Sequence, residues 1–200
     1  DDVESRGLGD VYKRQAEMCG NATRCVGKYV YDRGLTDKTQ ITLETLAGIK
    51  ILDLNVKDGE VQTVRVNMGS PELVPKNIPI DSNLDRFISE DVEVDGKVYK
   101  VTGVSMGNPH AVTFIDDTDS LEIEKIGPKF ETHKLFPKKI NTEFAQIVDR
   151  NTIKMRVWER GAGETLACGT GACATMVAAN LNGLVDDAVS YTHLRAHETR

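Results

Sequence analysis

The sequence has no long apolar segment and no concentrated positive charge. No apolar run approaches the roughly 20 residues that a membrane-spanning helix needs. The chain also does not begin with a positively charged stretch followed by an apolar one. The formal net charge is −6, and the lysines and arginines are scattered singly rather than gathered in the stripes that bind phosphate backbones. We therefore expect a cytoplasmic globular protein that binds neither membranes nor nucleic acid.

Cysteine is scarce, and its spacing excludes two common uses of the residue. The four cysteines have the spacings C-x5-C and C-x4-C, which differ from the C-x2-C pairs of zinc sites. Four thiols in 200 residues are also too few for the dense disulfide framework of small secreted domains. We expect reduced thiols, either buried or reactive, and no metal site.

The two ends lack the periodicity of the interior. Residues 1–15 and residues 189–200 show neither a helical nor a strand pattern of useful length. We expect both segments to be non-native tails that do not belong to the fold. The informative part of the chain then runs from Ala16 to about Ala188.

Two helices that begin beside a cysteine are predicted near opposite ends of this interior. Each segment starts with Cys-Gly and ends with Gly-Leu, and Cys19 and Cys168 are as far apart as the closing Gly34 and Gly183, namely 149 positions. Apolar residues follow the spacing of a helix packed on one side, and a glycine supplies each stop. The apolar positions are Ala22, Cys25, Val26, Tyr29 and Val30 in the first helix and Cys173, Met176, Val177 and Leu181 in the second. We expect Cys25 and Cys173, which lie on these stripes, to be core residues.

The region between the helices has the pattern of β-strands. Asp58-Gly59 and Asp95-Gly96 supply hairpin turns, and the irregular stretch from Pro71 to Pro79 is expected to cross between two halves. Alternating apolar residues predict strands at 41–46, 49–56, 64–68, 98–106, 111–115, 144–148 and 153–158, with one further short helix at 121–126. The sequence thus predicts an α+β fold of two similar halves, residues 16–68 and 69–188. Each half is a mainly antiparallel sheet wrapped around its cysteine-bearing helix.

The paired helix starts indicate acid–base chemistry. A cysteine at a helix start lies where unpaired N–H groups and the helix dipole favour the thiolate, which lowers the thiol pKa from its usual value of about 8.5. The residues that follow, Gly20 and Asn21 in one helix and Gly169 and Thr170 in the other, leave N–H groups open to a substrate carboxylate. If Cys19 and Cys168 flank one carbon, one thiol can remove a proton and the other can return one from the opposite face. The N–H groups would hold the developing enediolate charge, which requires no cofactor.

Other polar residues have a structural and a functional interpretation. Asn108 and His110, in the motif MGNPH, could be turn residues only, and Asn141 precedes a strand, as turn residues often do. Glu159 and Arg160 could form an ordinary exposed ion pair. Their place shortly before Cys168 favours a role in the site.

Four segments together resemble diaminopimelate epimerase, in unbroken order over about residues 16–185. They are EMCGNATRC at 17–25, SMGNPHAV at 105–112, INTEFAQI at 140–147 and ERGAGETLACGTGAC at 159–173. The resemblance implies a pyridoxal-independent isomerase with a fold of two similar halves. Its substrates would be LL- and meso-2,6-diaminoheptanedioate, in the synthesis of lysine and peptidoglycan precursors.

The resemblance also implies roles for individual residues. Cys19 and Cys168 would exchange the roles of acid and base with the direction of the reaction. The positions that bind the reacting end of the substrate in the family match Gly20, Asn21, Gly169 and Thr170. The positions that hold the substrate match Asn108, Asn141, Glu159 and Arg160. The positions that assist the thiols match His110 and Glu159. Arg160 suits bidentate capture of the distal carboxylate. The expected partner is the small-molecule substrate, and a homodimer is the assembly we consider.

The sequence departs from the family pattern at both ends. The family carries further residues before EMCGN, including asparagines that contact the substrate, and closing strands after LNGLV. We therefore expect the chain as given to be an inactive fragment of the enzyme.

Two alternatives to this function follow from the same residues. Proline or hydroxyproline racemases use a similar two-cysteine scheme, but a small monocarboxylate would not require Arg160 and the asparagines at a distal end. From a different class, Gly169–Ala174 fits the G-x-G-x-x-A pattern of dinucleotide-binding domains, with Asp186 downstream. The nearest predicted strand ends at Trp158, so the strand-to-turn context of that motif is absent.

Overall fold

The structure is a computed structural model that describes residues 19–46 and 48–192. The expected tail at residues 1–15 and the last eight residues lie outside this range. The helices of the described part are α1 (Gly20–Asp32), α2 (Ile123–Glu131) and α3 (Gly169–Leu181). The strands are β1 (Gln40–Thr45), β2 (Gly48–Lys57), β3 (Glu60–Asn67), β4 (Glu90–Val94), β5 (Lys97–Ser105), β6 (Pro109–Phe114), β7 (Asn141–Asp149), β8 (Thr152–Glu159), β9 (Gly163–Thr165) and β10 (Ser190–Thr192). None of these helices is long and apolar enough to cross a membrane.

The strands form two sheets. Strands β1, β2 and β3 make a three-stranded antiparallel sheet, and the others make a seven-stranded sheet in the order β10-β8-β7-β6-β5-β4, with β9 paired to β8. Most pairs in the large sheet are antiparallel, but β6 runs parallel to β7 and β10 runs parallel to β8. The predicted α+β class with mainly antiparallel sheets is confirmed.

Both predicted hairpin turns are present. Asp58 and Gly59 have φ values of 54° and 82°, and Asp95 and Gly96 have φ values of 56° and 75°. Positive φ at both central residues is the geometry of a tight hairpin turn whose twist matches that of the flanking strands. These turns fix the pairing of β2 with β3 and of β4 with β5.

Helix α1 packs on the small sheet through its smallest residues. A Cβ atom on Gly27 would lie 2.9 Å from Leu52 Cδ2 and 3.1 Å from Leu54 Cδ2, so only glycine allows this approach. Gly20, Thr23 and Gly27 are accordingly the buried residues of the helix. The predicted apolar stripe is therefore wrong for α1, since Cys25 is exposed and is not a core residue. The face of α1 that packs on the sheet is the one with the smallest residues, because only small residues allow this close approach. The spacing of apolar residues does not identify that face.

Helix α3 packs on the large sheet through an alanine-rich face. Ala174 and Ala178 contact the core residues Val104, Met106 and Val112, which come from β5, the turn after it and β6. Cys173, predicted as a core residue, is only half-buried at the margin of this cluster. The small face again lies against the sheet, and the larger residues of the predicted stripe lie beside it.

Three strands were not predicted, and the bounds of one helix and of several strands differ from the predictions; β3 begins at Glu60 rather than 64, and β7 begins at Asn141 rather than 144. Strands β4, β9 and β10 were not predicted, since β4 is rich in acidic residues and β9 and β10 have three residues each. Strand β10 pairs with Thr152–Lys154 of β8, so the sheet continues into a segment that was expected to lie outside the fold. The predicted helix at 121–126 is α2, which starts two residues later and continues to Glu131.

Helix α2 provides a test of core packing through the chain's single tryptophan. A Cβ atom on Gly127 would lie 2.4–2.6 Å from ring atoms of Trp158. Replacing an exposed helical glycine by alanine stabilises a protein by roughly 1 kcal/mol. We expect the opposite sign for Gly127→Ala, a loss of about 1–3 kcal/mol from overpacking against a rigid ring. Urea unfolding followed by Trp158 fluorescence measures it.

The control for this prediction is Glu124→Ala, on the exposed side of α2. It removes a carboxylate from the first turn and should change the free energy of unfolding by less than about 1 kcal/mol. A neutral or stabilising Gly127→Ala would contradict the described contact with Trp158.

Candidate active site

The two cysteines of the repeated motif occupy equivalent backbone positions. Cys19 is the N-cap of α1, with φ −130° and ψ 104°, and Cys168 is the N-cap of α3, with φ −126° and ψ 110°. An N-cap residue adopts extended angles, and the first N–H groups of its helix have no intrahelical partner. Each cysteine therefore precedes a cluster of backbone donors.

The two helix starts meet backbone to backbone. A Cβ atom on Gly169 would lie 3.1 Å from the Cα of Gly20, and a Cβ atom on Gly20 would lie 3.3 Å from the Cα of Gly169. Asn21 Nδ2 donates a hydrogen bond of 3.2 Å to the carbonyl of Ala167, which ties α1 to the residue before Cys168. The structure thus brings together the residues predicted from both Cys-Gly motifs, although 149 positions separate them in the sequence.

The two thiols lie in unequal surroundings. Cys19 is exposed, whereas Cys168 is only 7% exposed. Cys168 Sγ accepts a hydrogen bond of 3.3 Å from the Gly171 N–H and lies 3.4 Å from Thr170 Oγ1. Burial raises the pKa of the Cys168 thiol to about 12, and the charges of Glu143 and Glu159 add to this, against the opposing hydrogen bonds from Thr170 and Gly171. The lowered pKa expected for a cysteine at a helix start is therefore wrong for Cys168, because desolvation of the thiolate outweighs the helix dipole.

His110 and Asn108 form a polar connection to Cys168. His110 is fully buried, with Nδ1 2.7 Å from Glu143 Oε1 and Nε2 2.9 Å from Asn108 Oδ1. Asn108 Nδ2 in turn donates a hydrogen bond of 3.2 Å to Thr170 Oγ1. Asn108 lies in the turn before β6, as expected for a turn residue. Its side chain also contacts Thr170, which lies beside the Cys168 sulfur.

Glu143 was not among the predicted site residues. It lies in β7, where residues 141–145 are all buried, so alternation along the strand does not distinguish its two faces. Its side chain is completely inaccessible, and Oε2 has no hydrogen-bond partner among the described residues. A charged residue inside the otherwise buried segment INTEFAQI is the signal that could have identified it, because buried acids require a partner.

Asn141, Glu159 and Arg160 lie at the neighbouring ends of strands. Asn141 Nδ2 donates to the carbonyl of Pro109 at 2.7 Å, and Asn141 Oδ1 accepts from the Arg160 N–H at 2.9 Å, so this amide joins β6, β7 and the end of β8. Glu159 Oε1 accepts from the Thr165 hydroxyl at 2.5 Å. The Arg160 guanidinium contacts the carbonyl of Lys138 at 3.4 Å. Their expected contacts with a substrate stay a prediction.

The described residues do not form a metal site, since no group of three His, Cys, Asp or Glu side chains could hold an ion there. The dinucleotide-binding alternative is not supported by the geometry. The helix that contains Gly169–Ala174 is followed by β10, which runs parallel to β8, but it comes directly after β9, a three-residue strand antiparallel to β8, so it does not start at the end of a parallel strand as the motif requires.

Comparison with known proteins first establishes the fold. The structure resembles that of a hydroxyproline epimerase from Agrobacterium vitis with a TM-score of 0.67. The similarity covers 89% of this chain and 56% of that protein, at 14% sequence identity. At this identity the likeness concerns the fold alone.

Sequence comparison then establishes the family. The diaminopimelate epimerase family model matches residues 13–74 and 102–197. The chain is 64% identical over 170 residues to the diaminopimelate epimerase of Acetivibrio thermocellus, covering 85% of this chain and 61% of that protein. It is 56% identical over 171 residues to the Methanococcus maripaludis enzyme of the same name, covering 86% and 62%. The chain belongs to the diaminopimelate epimerase family, and it spans about three fifths of the length of these relatives.

The contact between the helix starts predicts a specific disulfide. Because Gly20 and Gly169 touch and each follows its cysteine, mild oxidation should join Cys19 to Cys168. Gly169→Ala should slow this reaction, since its Cβ would push the two backbones apart. Peptide mapping of the oxidised chain identifies the linkage, and linkage only through Cys25 or Cys173 would contradict the described geometry.

Proposed function

We propose that this chain carries the two-thiol centre of a diaminopimelate epimerase, which interconverts LL- and meso-2,6-diaminoheptanedioate, and that the 200-residue chain, which spans about three fifths of the length of its relatives, is an inactive fragment of that enzyme. Proton transfer between Cys19 and Cys168 would perform the inversion without a cofactor. Membership of the diaminopimelate epimerase family supports the proposal, as do the names of the relatives that are 56–64% identical.

The observation that carries the proposal is the direct approach of the two helix starts at Gly20 and Gly169. Two helix N-termini that point at one place present converging N–H donors and two positive dipole ends to an anion. A substrate carboxylate held there would place the adjacent carbon between the two cysteines. Inversion requires this two-sided arrangement, because the proton must leave one face and arrive at the other.

The proposed reaction needs a donor and an acceptor at the same time. One thiolate takes the α-proton, negative charge moves onto the carboxylate as the enediolate forms, and the second thiol delivers its proton to the opposite face. Preorganised N–H groups stabilise charge where it develops, and this contribution is often the largest in such enzymes. The high pKa of the buried Cys168 favours its thiol form, which makes it the proton donor in the free protein.

The distal end of the substrate would be held by the polar residues around the end of β8. Arg160 can pair with a carboxylate through two parallel N–H bonds, and Asn141 fixes the backbone at Arg160 through its 2.9 Å hydrogen bond. Glu159, whose charge acts on Cys168, would hold the substrate nearer the thiols. A dicarboxylate with a second amino acid centre would require such residues at its distal end, whereas a small monocarboxylate such as proline would not.

The proposal extends to the setting of the reaction. Lysine and peptidoglycan precursor synthesis would be the pathway, and the cytoplasm would be its location. A homodimer is the assembly that we propose to test by ultracentrifugation.

The proposed function is tested by solvent deuterium uptake at the α-carbon of LL-diaminopimelate. We expect Cys19→Ala and Cys168→Ala each to reduce the rate to less than a tenth of the parent rate, a loss of more than about 1.4 kcal/mol in transition-state stabilisation. One thiol cannot serve both faces of the carbon. The measurement should use both the 200-residue chain and a chain extended to the length of the relatives.

The matched controls are Cys25→Ala and a second substrate. Cys25 is exposed on the side of α1 away from the small sheet, so its replacement should leave the rate unchanged. Trans-4-hydroxy-L-proline should not exchange. Exchange of hydroxyproline instead of diaminopimelate, or more than a tenth of the activity in either active-site variant, would refute the proposal.

A further inference from the structure

A continuous chain of polar contacts connects Glu143 to the Cys168 sulfur. It runs from Glu143 Oε1 to His110 Nδ1 (2.7 Å), from His110 Nε2 to Asn108 Oδ1 (2.9 Å), from Asn108 Nδ2 to Thr170 Oγ1 (3.2 Å), and from Thr170 Oγ1 to Cys168 Sγ (3.4 Å). We call this chain the Glu143 network. It joins β7, β6 and the first turn of α3.

The direction of the hydrogen bonds along this network follows from the chemistry of its groups. An amide oxygen can only accept, so His110 Nε2, which faces Asn108 Oδ1, carries a hydrogen. The Asn108 amide N–H then donates to the Thr170 oxygen, which leaves the Thr170 hydroxyl hydrogen for the sulfur of Cys168. The bonds from the imidazole to Thr170 therefore point toward Cys168, and the Thr170 hydroxyl can continue this direction to the sulfur 3.4 Å away.

The other side of the imidazole explains how this direction is maintained. A neutral imidazole carries one hydrogen, and here that hydrogen is on Nε2, so Nδ1 must meet a group that supplies or shares a proton. Glu143 Oε1 is the group that faces it at 2.7 Å.

We propose that Glu143 is a positioning residue for proton transfer at Cys168. By sharing a proton with His110 Nδ1, it keeps the Nε2–H directed at Asn108, and it thereby aims the Thr170 hydroxyl at the sulfur. This inference rests on the proposed function, because it concerns how one of the two thiols delivers its proton.

The consequence for the thiol is geometric. Cys168 Sγ accepts from the Gly171 N–H and lies 3.4 Å from Thr170 Oγ1. In the proposed network Thr170 is the donor of this second contact, so its oxygen does not accept the hydrogen of the thiol. The S–H of Cys168 is therefore left free for transfer to a substrate carbon. Were the network reversed, the thiol would donate to Thr170 instead and would have to break that bond before reacting.

Glu143 and Cys168 both lie close to Gly171 in the first turn of α3. A Cβ atom on Gly171 would lie 2.6 Å from Glu143 Oε1 and 3.2 Å from Cys168 Sγ, so glycine leaves room for the carboxylate beside the first turn of α3. Among the described residues, the carboxylates whose charges act on Cys168 are Glu143 from β7 and Glu159 from the end of β8, and Cys19 lies at the facing helix start. Of these, Glu143 is the one that contacts His110.

The experiment compares Glu143→Gln with Glu143→Leu. Glutamine can donate an N–H to His110 Nδ1 and so preserve the direction of the network, whereas leucine fills similar space without a polar atom. In ¹⁵N NMR spectra we expect His110 Nε2 to be protonated from pH 6 to 9 in the parent and in Glu143→Gln. In Glu143→Leu this fixed state should be lost. The chain has four histidines, and His110→Asn assigns the signal.

Activity provides the second readout. In a chain extended to the length of the relatives, we expect Glu143→Leu to lower kcat for diaminopimelate exchange by about tenfold or more, as for loss of one acid–base contribution. KM should change little, because Glu143 does not lie at the proposed carboxylate site. Glu143→Gln should stay within a few-fold of the parent kcat. If Glu143 had a purely structural role, both variants would lower kcat to the same extent, or the loss of kcat would parallel the loss of thermal stability.

The control is Glu164→Gln, which weakens the bidentate pair of Glu164 with Arg156 outside the network. It should leave the His110 signals in place. Unprotonated Nε2 in the parent, or parent-like kcat in Glu143→Leu, would overturn the inference. If the NMR results are as expected but the parent does not exchange diaminopimelate, the proposed function fails and the link from Glu143 to His110 stands.

Discussion

The contact between Gly20 and Gly169 is the constraint on which the site depends. Two backbones can approach this closely only where neither residue has a side chain, and the contact lies at the one point where both helices present unpaired N–H groups. Any Cβ here would separate the helix starts by shifting backbone rather than a flexible side chain. The positions of both cysteines, of Asn21 and of the first turn of α3 follow from it.

The two halves differ in how each sheet supports its cysteine-bearing helix at this contact. Helix α1 contacts its sheet through Gly27, and the buried core side chains of the described small sheet are Leu52, Leu54 and Val61. Helix α3 lies on a seven-stranded sheet through alanines, and the sheet beneath it contains the buried polar residues His110, Glu143 and Asn141. The repeated motif thus gives two equivalent backbones with different environments. One thiol is exposed, and the other is buried beside acidic groups.

Much of this arrangement could be predicted from the sequence because it depends on local chemistry. Seven strands, both hairpin turns and both cysteine-bearing helices follow from alternation, Asp-Gly pairs and the glycines that end the helices. The buried faces of the helices could not be predicted in the same way. Gly27 and Ala174 face the sheets, and the larger apolar residues Val26 and Met176 do not, because the helices lie close to the sheets. This choice of face depends on the shape of the sheet surface, which the sequence of the helix does not contain. Glu143 was missed for a related reason, since a strand buried on both faces has no alternation to read. The fall in pKa expected for Cys168 ignored the cost of desolvation, which depends on tertiary burial.

The inequality of the two thiols has a kinetic consequence under the proposed function. Each stereoisomer requires its own protonation form of the enzyme, with the base on the face that carries the α-hydrogen and the acid on the other. After one turnover the two cysteines have exchanged protons, so the protein holds the form suited to the reverse reaction. The two cysteines take these roles in unequal surroundings, since one thiol is exposed and the other is buried. The free protein must therefore move a proton between its own cysteines, through solvent, before it can accept the same stereoisomer again. At high substrate concentration, this return step belongs to the catalytic cycle as much as the chemistry on carbon does.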